Sequence, residues 1–223
     1  MDDNYAKYIL DKLEKDYNNI AFKYSQVRNK EWAEMDFLFD KIKQGDKILD
    51  LGCGSGRFYP LAIKKQADYY GIDLSNEMIE IARKKYPQGW FFVGNGLYVC
   101  FEDGFFDKIY AIAVLHHIPS KKMRLEFLKE INRALKEKGL LFLTVWDLKD
   151  KKDKGVLNEN LEENDILLPW YGAKDCYFHI FDMKELEDLA KNSGLKIIEK
   201  GSIIVGEKPY NNFYLICQKN GKM

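Results

Sequence analysis

The sequence carries no excess of either charge, no paired cysteines and no long apolar run, and each absence removes a class of function. Lys plus Arg and Asp plus Glu both total 35 in 223 residues. No global field therefore draws the chain to a polyanion or an acidic membrane, and any nucleic-acid site must be a local patch. The four cysteines, Cys53, Cys100, Cys176 and Cys217, are scattered without a C-x-x-C pair, the pattern of reduced thiols. No charged-then-apolar leader precedes the first helical pattern, so a cytoplasmic location is expected. No apolar run approaches the roughly 18 to 20 residues that a bilayer span requires, and repeats and low-complexity tracts are missing. The expectation is a soluble chain with no membrane partner and no metal site; its oligomeric state stays open.

What is present is a core. With 46% hydrophobic and 14% aromatic residues, the chain can form a single domain over residues 1–223. Side chains recurring from Tyr5 through Tyr8, Ile9, Leu13, Tyr17, Ile20 and Ala21 predict a leading helix with one buried face. A second amphipathic stretch runs from Trp32 to Ile42 and ends near Gly45. Strand and helix patterns then alternate: strand 47–51, helix 57–66, strand 68–73, helix 76–85, strand 90–94, strand 106–114, helix 121–135 and strand 140–146. Such alternation implies a mostly parallel sheet covered on both faces. Ser75 and Ser120 stand where N-caps belong, and Gly139 reads as a helix stop. After Trp146 the pattern lapses into DLKDKKDKG and a polar stretch to about Pro169, too long for an ordinary connection and read as an insertion beside the active site. Asp182 and Glu185 form a capping box for helix 183–191, closed by Gly194, and strands 195–199 and 213–218 suggest an edge hairpin. The expected organisation is a helical cap (1–45), a cofactor-binding core (46–146), an active-site insertion (147–181) and a C-terminal helix with a β-hairpin (182–223).

The chemistry concentrates at DLGCGSG, Asp50 to Gly56. A strand running into closely spaced glycines and then a helix lets backbone N–H groups approach a ligand, because side chains at Gly52, Gly54 and Gly56 would block it. The spacing is tighter than in a dinucleotide turn, and Asp50 would repel a pyrophosphate yet suit a cationic amino-acid moiety. Asp73, ending the next strand about 20 residues on, can accept both ribose hydroxyls. An adenine would lie beyond the third strand, at Asn95 and Gly96.

DLGCGSG, GIDLS, AIAVLHHI and LKEKGLLFLTVW resemble motifs of class I S-adenosylmethionine-dependent methyltransferases over Lys47 to Trp146. The resemblance implies an α/β, Rossmann-like fold with a seven-stranded sheet of order 3-2-1-4-5-7-6, strand 7 antiparallel and helices on both faces. The candidate cofactor set is Arg28, Asp50, Gly52, Cys53, Gly54, Gly56, Asp73, Leu74, Asn95, Gly96 and Ala113, with Asn95 standing where the family often has Asp. Three flanking pieces, YNNIAFKYSQVRNKEW, HHIPSKKMRLEFLKEINRALK and YFHIFDMKELEDL with NNFYLICQK, are similar to the methyltransferases that esterify 5-carboxymethyluridine at the tRNA wobble position. That similarity implies a tRNA substrate and a small zinc-containing partner protein. It matches Arg28 to an arginine near cofactor or substrate, and His179 to the histidine of an Arg-aromatic-aromatic-His run in which Cys176 replaces the arginine. KPYNNFY, Lys208 to Tyr214, replaces an acidic and basic pair before an Asn-Trp-Tyr strand.

His117, Tyr177, His179 and Asn212 are the candidates for positioning a substrate. His116 reads as structural; His117 and His179 can equally bond a backbone carbonyl or a core partner. Trp146 and Trp170 can stack on a base or fill the core. Basic candidates for phosphate contacts are Lys121, Lys122, Arg124 and the Lys149 to Lys154 loop. A carboxylate acceptor is ionised at neutral pH and needs no general base, whereas the phenol or amine of a small-molecule O- or N-methyltransferase would need deprotonation by His117 or His179. A non-catalytic cofactor-binding subunit is the third reading.

Overall fold

The apolar run KILDL forms β1 (Lys47–Leu51) at the centre of the sheet, its side chains buried on both faces because helices cover both. The computed structural model describes residues 1–28, 33–156, 158–205 and 210–221. Around β1 lie β2 (Asp68–Asp73), β3 (Trp90–Val93), β4 (Phe106–Ile112), β5 (Leu135–Trp146), β8 (Leu195–Val205) and β9 (Tyr210–Lys219), in the order β3-β2-β1-β4-β5-β9-β8. A separate hairpin supplies β6 (Asp165–Trp170) and β7 (Ala173–His179). Counted within the main sheet, this is the expected 3-2-1-4-5-7-6, and β9 runs antiparallel to both β5 and β8.

Helices α2 (Asp36–Phe39), α3 (Tyr59–Lys64) and α4 (Asn76–Lys85) cover one face, burying Leu38, Phe39, Ala62, Ile79 and Ala82 against β1 and β4. On the other face, α5 (Lys121–Ala134) and α6 (Met183–Asn192) bury Phe127, Leu128, Ile131, Leu186 and Leu189. Helix α1 (Asp3–Val27) lies across the C-terminal ends of the strands. Its inner residues are shared among three apolar clusters: Ala6 and Leu10 with α5, Leu13 with the β6–β7 hairpin, and Ile9 with Tyr177. Asn18 fastens α1 to the core, its Oδ1 accepting the Ser75 hydroxyl at 2.7 Å and the Glu77 N–H at 3.2 Å. No described helix is long and apolar enough to cross a membrane.

The predicted caps form. Ser75 accepts from the Met78 N–H, Ser120 from that of Met123 and Asp182 from that of Glu185. Three expectations are corrected. The amphipathic stretch from Trp32 yields only a 3-10 turn (Ala33–Met35) and the short α2, Trp32 itself lying outside the described residues. Gly139 does not stop α5: the helix ends at Ala134, Leu135 already pairs with Phe106, and Gly139 lies within β5, where a Cβ would come 2.8 Å from the Lys136 carbonyl. The stretch after Trp146 is partly ordered structure, a 3-10 turn (Lys149–Lys154) followed by the β6–β7 hairpin, whose turn takes positive φ at Tyr171 and Gly172.

Candidate active site

A cleft opens at the C-terminal ends of β1, β2 and β4, where the chain order reverses between β1 and β4 and open parallel sheets receive their ligands. Its floor is the turn after β1. Gly52, Gly54 and Gly56 have φ of 75, 52 and 78°, and they serve different ends. A Cβ on Gly52 would sit 2.3 Å from Val114 Cγ2 and one on Gly56 3.0 Å from the Tyr86 ring, whereas one on Gly54 meets nothing within 4 Å. Gly54 faces open space; packing demands the other two, and Gly56 lies outside the cleft lining.

The turn's donors do not reach for a ligand as expected. The N–H groups of Gly52 and Cys53 donate to the Ile72 carbonyl at 2.7 and 3.0 Å, and that of Gly54 donates to Asp73 Oδ2 at 2.8 Å. These three donors are spent inside the protein and are lost to a pyrophosphate. Asp73 Oδ1 also accepts the Ser75 N–H at 2.9 Å, and each oxygen keeps a further lone pair for a ligand hydroxyl. Burial raises the Asp73 pKa against the pull of those N–H bonds. Asp50 is buried deeper and accepts the Tyr69 hydroxyl at 2.7 Å. Burial pushes its carboxyl up to about 7 against that hydrogen bond, and Asp73 adds to the rise.

Leu74, Asn95, Gly96 and Ala113 also line the cleft. Asn95 is exposed and accepts the Leu97 N–H at 3.1 Å, which leaves its amide NH2 free of that turn. Gly96 is seated against Phe127, 2.6 Å from where a Cβ would be. Ala113 takes φ of 58° at the end of β4, held by its N–H donating to both the carbonyl and the hydroxyl of Thr144 at 3.0 Å.

The opposite wall comes from the cap. The guanidinium carbon of Arg28 lies 6.0, 5.9 and 5.8 Å from the ring centres of Tyr24, Trp146 and Trp170, and its Nε donates to the Tyr171 hydroxyl at 3.2 Å. Electron-rich ring faces hold the cation there without neutralising it. Arg57 lines the same cleft, its pKa lowered to about 10 by burial and then by Arg28. Asn212, opposite Trp146 across β5 and β9, is buried in the lining with no donor on its Oδ1.

His117 also lines the cleft but is not an available base. Its Nδ1 lies 3.0 Å from the Tyr177 carbonyl and its Nε2 2.9 Å from the Tyr17 hydroxyl. Burial lowers its pKa to about 4, against the Tyr177 hydrogen bond. His116 is fully buried against Trp146 and Phe178, as a structural residue should be.

The side chains of Tyr177 and His179 are not in the cleft lining, which corrects their place among the substrate-positioning candidates. Both point into a buried ionic cluster. Asp165 Oδ1 accepts the Tyr177 hydroxyl at 2.6 Å and faces His179 Nδ1 at 2.7 Å, while His179 Nε2 faces Glu185 at 3.0 Å. Arg124, 1% exposed, donates to Glu162 at 3.0 Å and lies 3.9 Å from Asp165, so it is not a cation for phosphate. Lys122 is engaged with Asp3 at 2.6 Å. Glu162, Asp165 and His179 offer converging metal-ligand atoms within 4.8 Å of one another, but Arg124 already supplies the positive charge among them.

A family model described as a methyltransferase domain matches residues 24–200, most of the chain and all of the cleft's glycine turn. The chain belongs to the methyltransferase domain family. It is 25% identical to the tRNA (carboxymethyluridine(34)-5-O)-methyltransferase of Schizosaccharomyces pombe, over 92% of this chain and 94% of that one. It is 32% identical to the human protein named Probable tRNA methyltransferase 9B over 70% of this chain, and it spans 32% of that longer protein's length. Among solved structures, a SAM-dependent methyltransferase of Methanosarcina mazei superposes with a TM-score of 0.75 at 24% identity, covering 83% of this chain and 98% of that one. A methyltransferase of Haloferax volcanii, solved in complex with the Trm112 methyltransferase activator, gives 0.72 at 17% identity, covering 95% and 99%.

Among the cleft residues of this methyltransferase that escape sequence reasoning are Tyr17, Tyr24 and Arg57. Tyr17 and Tyr24 stand about two helical turns apart on α1, a spacing that reads as a packing stripe. Arg57 follows the last glycine of the turn directly, and that position was the available signal.

Proposed function

We propose that this methyltransferase takes its methyl group from S-adenosylmethionine and passes it to the carboxylate of 5-carboxymethyluridine at the wobble position of tRNA. The observation that carries the reading is that the cleft's arginine and histidine are both held in place: Arg28 sits among Tyr24, Trp146 and Trp170, and both nitrogens of His117 are engaged, so its imidazole is no proton acceptor. A carboxylate arrives already ionised, so a fixed arginine that orients it suffices; a phenol or ammonium would need a proton acceptor. A bound donor would supply an electrophilic methyl group to the carboxylate oxygen and keep the bonding pair on its sulfur; Arg28 would orient the carboxylate, and acceleration would come from alignment and the exclusion of water. Aromatic rings around Arg28 suit a stacked base. The named activity of the fission-yeast relative supports the same acceptor.

On the donor side, the reading gives Asp73 the ribose hydroxyls and Asp50 the cationic amino-acid end; both line the cleft. A cation beside Asp50 favours its ionised form. Binding then releases a proton wherever the free carboxyl is still protonated, and with a free value of about 7 donor affinity should rise by up to about tenfold per pH unit from pH 5.5 to 7. The sign for folding is opposite. A carboxyl raised by burial stabilises the empty protein below its unfolded value of about 4, and that contribution fades as pH climbs through about 7. Calorimetric titration across this range checks both, and an Asp50→Asn variant with the same pH slope as wild type would sink the assignment.

A small zinc-containing activator is the proposed partner. The Haloferax complex supports it, as does the open edge of β3, where Trp90, Phe92, Val93 and Tyr98 are exposed beside unpaired strand. The deciding experiment incubates the protein, with and without such a partner, with labelled donor and RNA from a strain lacking this gene product. A labelled methyl ester on a modified uridine is expected. Label confined to small metabolites would support the small-molecule reading instead, and donor binding without any label transfer would support a non-catalytic subunit.

A further inference from the structure

The contact between Tyr17 and His117 fixes the direction of two protons. The Tyr177 backbone carbonyl can only accept, so His117 Nδ1 must carry the hydrogen across the 3.0 Å contact. A neutral imidazole then has a bare Nε2, which accepts the Tyr17 hydroxyl at 2.9 Å. Burial keeps the ring neutral, with its pKa at about 4, and holds the Tyr17 phenol well above its ordinary range. The phenol therefore stays protonated with its one hydrogen committed to the imidazole. Both residues line the cleft, together with Asp50 and Asp73.

We propose that Tyr17 discriminates the charged methyl donor from its demethylated product, because a phenol oxygen whose proton is tied to His117 presents only lone pairs to the cleft. This rests on the donor reading given above. A fixed oxygen dipole is attracted to a sulfonium and its polarised methyl group and is indifferent to a neutral thioether. Tyr17 is thereby a specificity residue, and His117 a positioning residue that acts through it. Because the proton is already committed, nothing has to reorganise when the cation arrives. After transfer the positive charge is gone from sulfur, and the attraction that held the donor goes with it, which aids product release.

The test measures affinity rather than turnover. S-adenosylmethionine and S-adenosylhomocysteine are titrated calorimetrically into wild type, Tyr17→Phe and His117→Leu, with thermal melts to confirm folding. Tyr17→Phe should cut the preference for the sulfonium over the thioether about threefold to tenfold, as expected for one hydrogen-bond-sized interaction, and change thioether affinity less than twofold. His117→Leu leaves the phenol in place but frees its proton to turn toward the cleft, so it should lower the same ratio even where Tyr17→Phe does not fold. Equal weakening of both ligands would assign Tyr17 a structural role and overturn the inference, as would an unchanged ratio in both variants. Wild-type protein that binds neither ligand would overturn the donor reading itself, and this inference with it.

Discussion

Replacing Asp73 with Ala should weaken donor binding about a hundredfold, more than the loss of a ribose contact alone would cause. The Asp73 carboxylate accepts the Gly54 N–H at 2.8 Å and the Ser75 N–H at 2.9 Å, so it fixes both the glycine turn and the entry to α4. Hydrogen bonds to a charged group contribute about 1.5 to 3 kcal/mol each, and tenfold in affinity is about 1.4 kcal/mol. Losing the ligand contact while releasing the turn that holds Gly54 against the cleft therefore amounts to roughly 3 kcal/mol. Asp73→Asn should fall between, since its single carbonyl oxygen can retain one N–H partner while its amide nitrogen confronts the other. Equilibrium titration with the donor, on variants shown by circular dichroism to be folded, checks this. An Asp73→Ala protein that binds as wild type does would remove Asp73 from the donor site.

The second large effect is on stability. Arg124→Leu should destabilise the fold by about 3 to 5 kcal/mol, because it leaves Glu162, Asp165 and Glu185 facing one another without their counter-charge. Asp165 is the sensitive member: it is fully buried, yet hydrogen bonds from His179 and Tyr177 hold its carboxyl below the ordinary value against the cost of burial. Against a total stability of about 5 to 15 kcal/mol, a loss of this size shows as a large shift in a urea midpoint. Donor affinity should change little, since Arg124 does not line the cleft. A phosphate-binding arginine would behave the other way, sparing the midpoint and weakening RNA binding; that result would return Arg124 to the surface.

These two residues mark what sequence reasoning reaches. The region around Asp73 is legible because every signal there is local: β2 and α4 occur at the expected boundaries, and the Ser75 cap is written in adjacent residues. The sheet order follows from an alternation that leaves few other topologies. Arg124 is different. Its side chain falls on the stripe 124, 127, 128, 131, whose other members are Phe127, Leu128 and Ile131, so its period marks it as inward-facing even though its charge suggests the surface. The carboxylates that make burial tolerable come from β6, the segment before it and α6, and no local pattern announces that meeting. Tyr177 and His179 show the same limit. Two residues apart on one strand, they must share a face, but period alone does not say whether that face is the cleft or the ionic cluster. The β6–β7 hairpin is hidden by mixed burial and by Pro169 and Tyr171 near its turn, which interrupt the alternation a strand needs. In the glycine turn the reason for the glycines is corrected: the N–H groups of Gly52, Cys53 and Gly54 bond within the protein, and of the three glycines only Gly54 has open space beside it.

Asn18 ties these observations together from the other side of the cleft. Its amide oxygen accepts from the hydroxyl of Ser75, which caps α4, and from the N–H of Glu77 in the first turn of that helix. Helices α1 and α4 therefore share one joint, and any displacement of α1 would strip α4 of part of its N-terminal hydrogen bonding. The Glu77 amide proton sits at that joint, so its solvent exchange would report how often the contact between α1 and α4 opens.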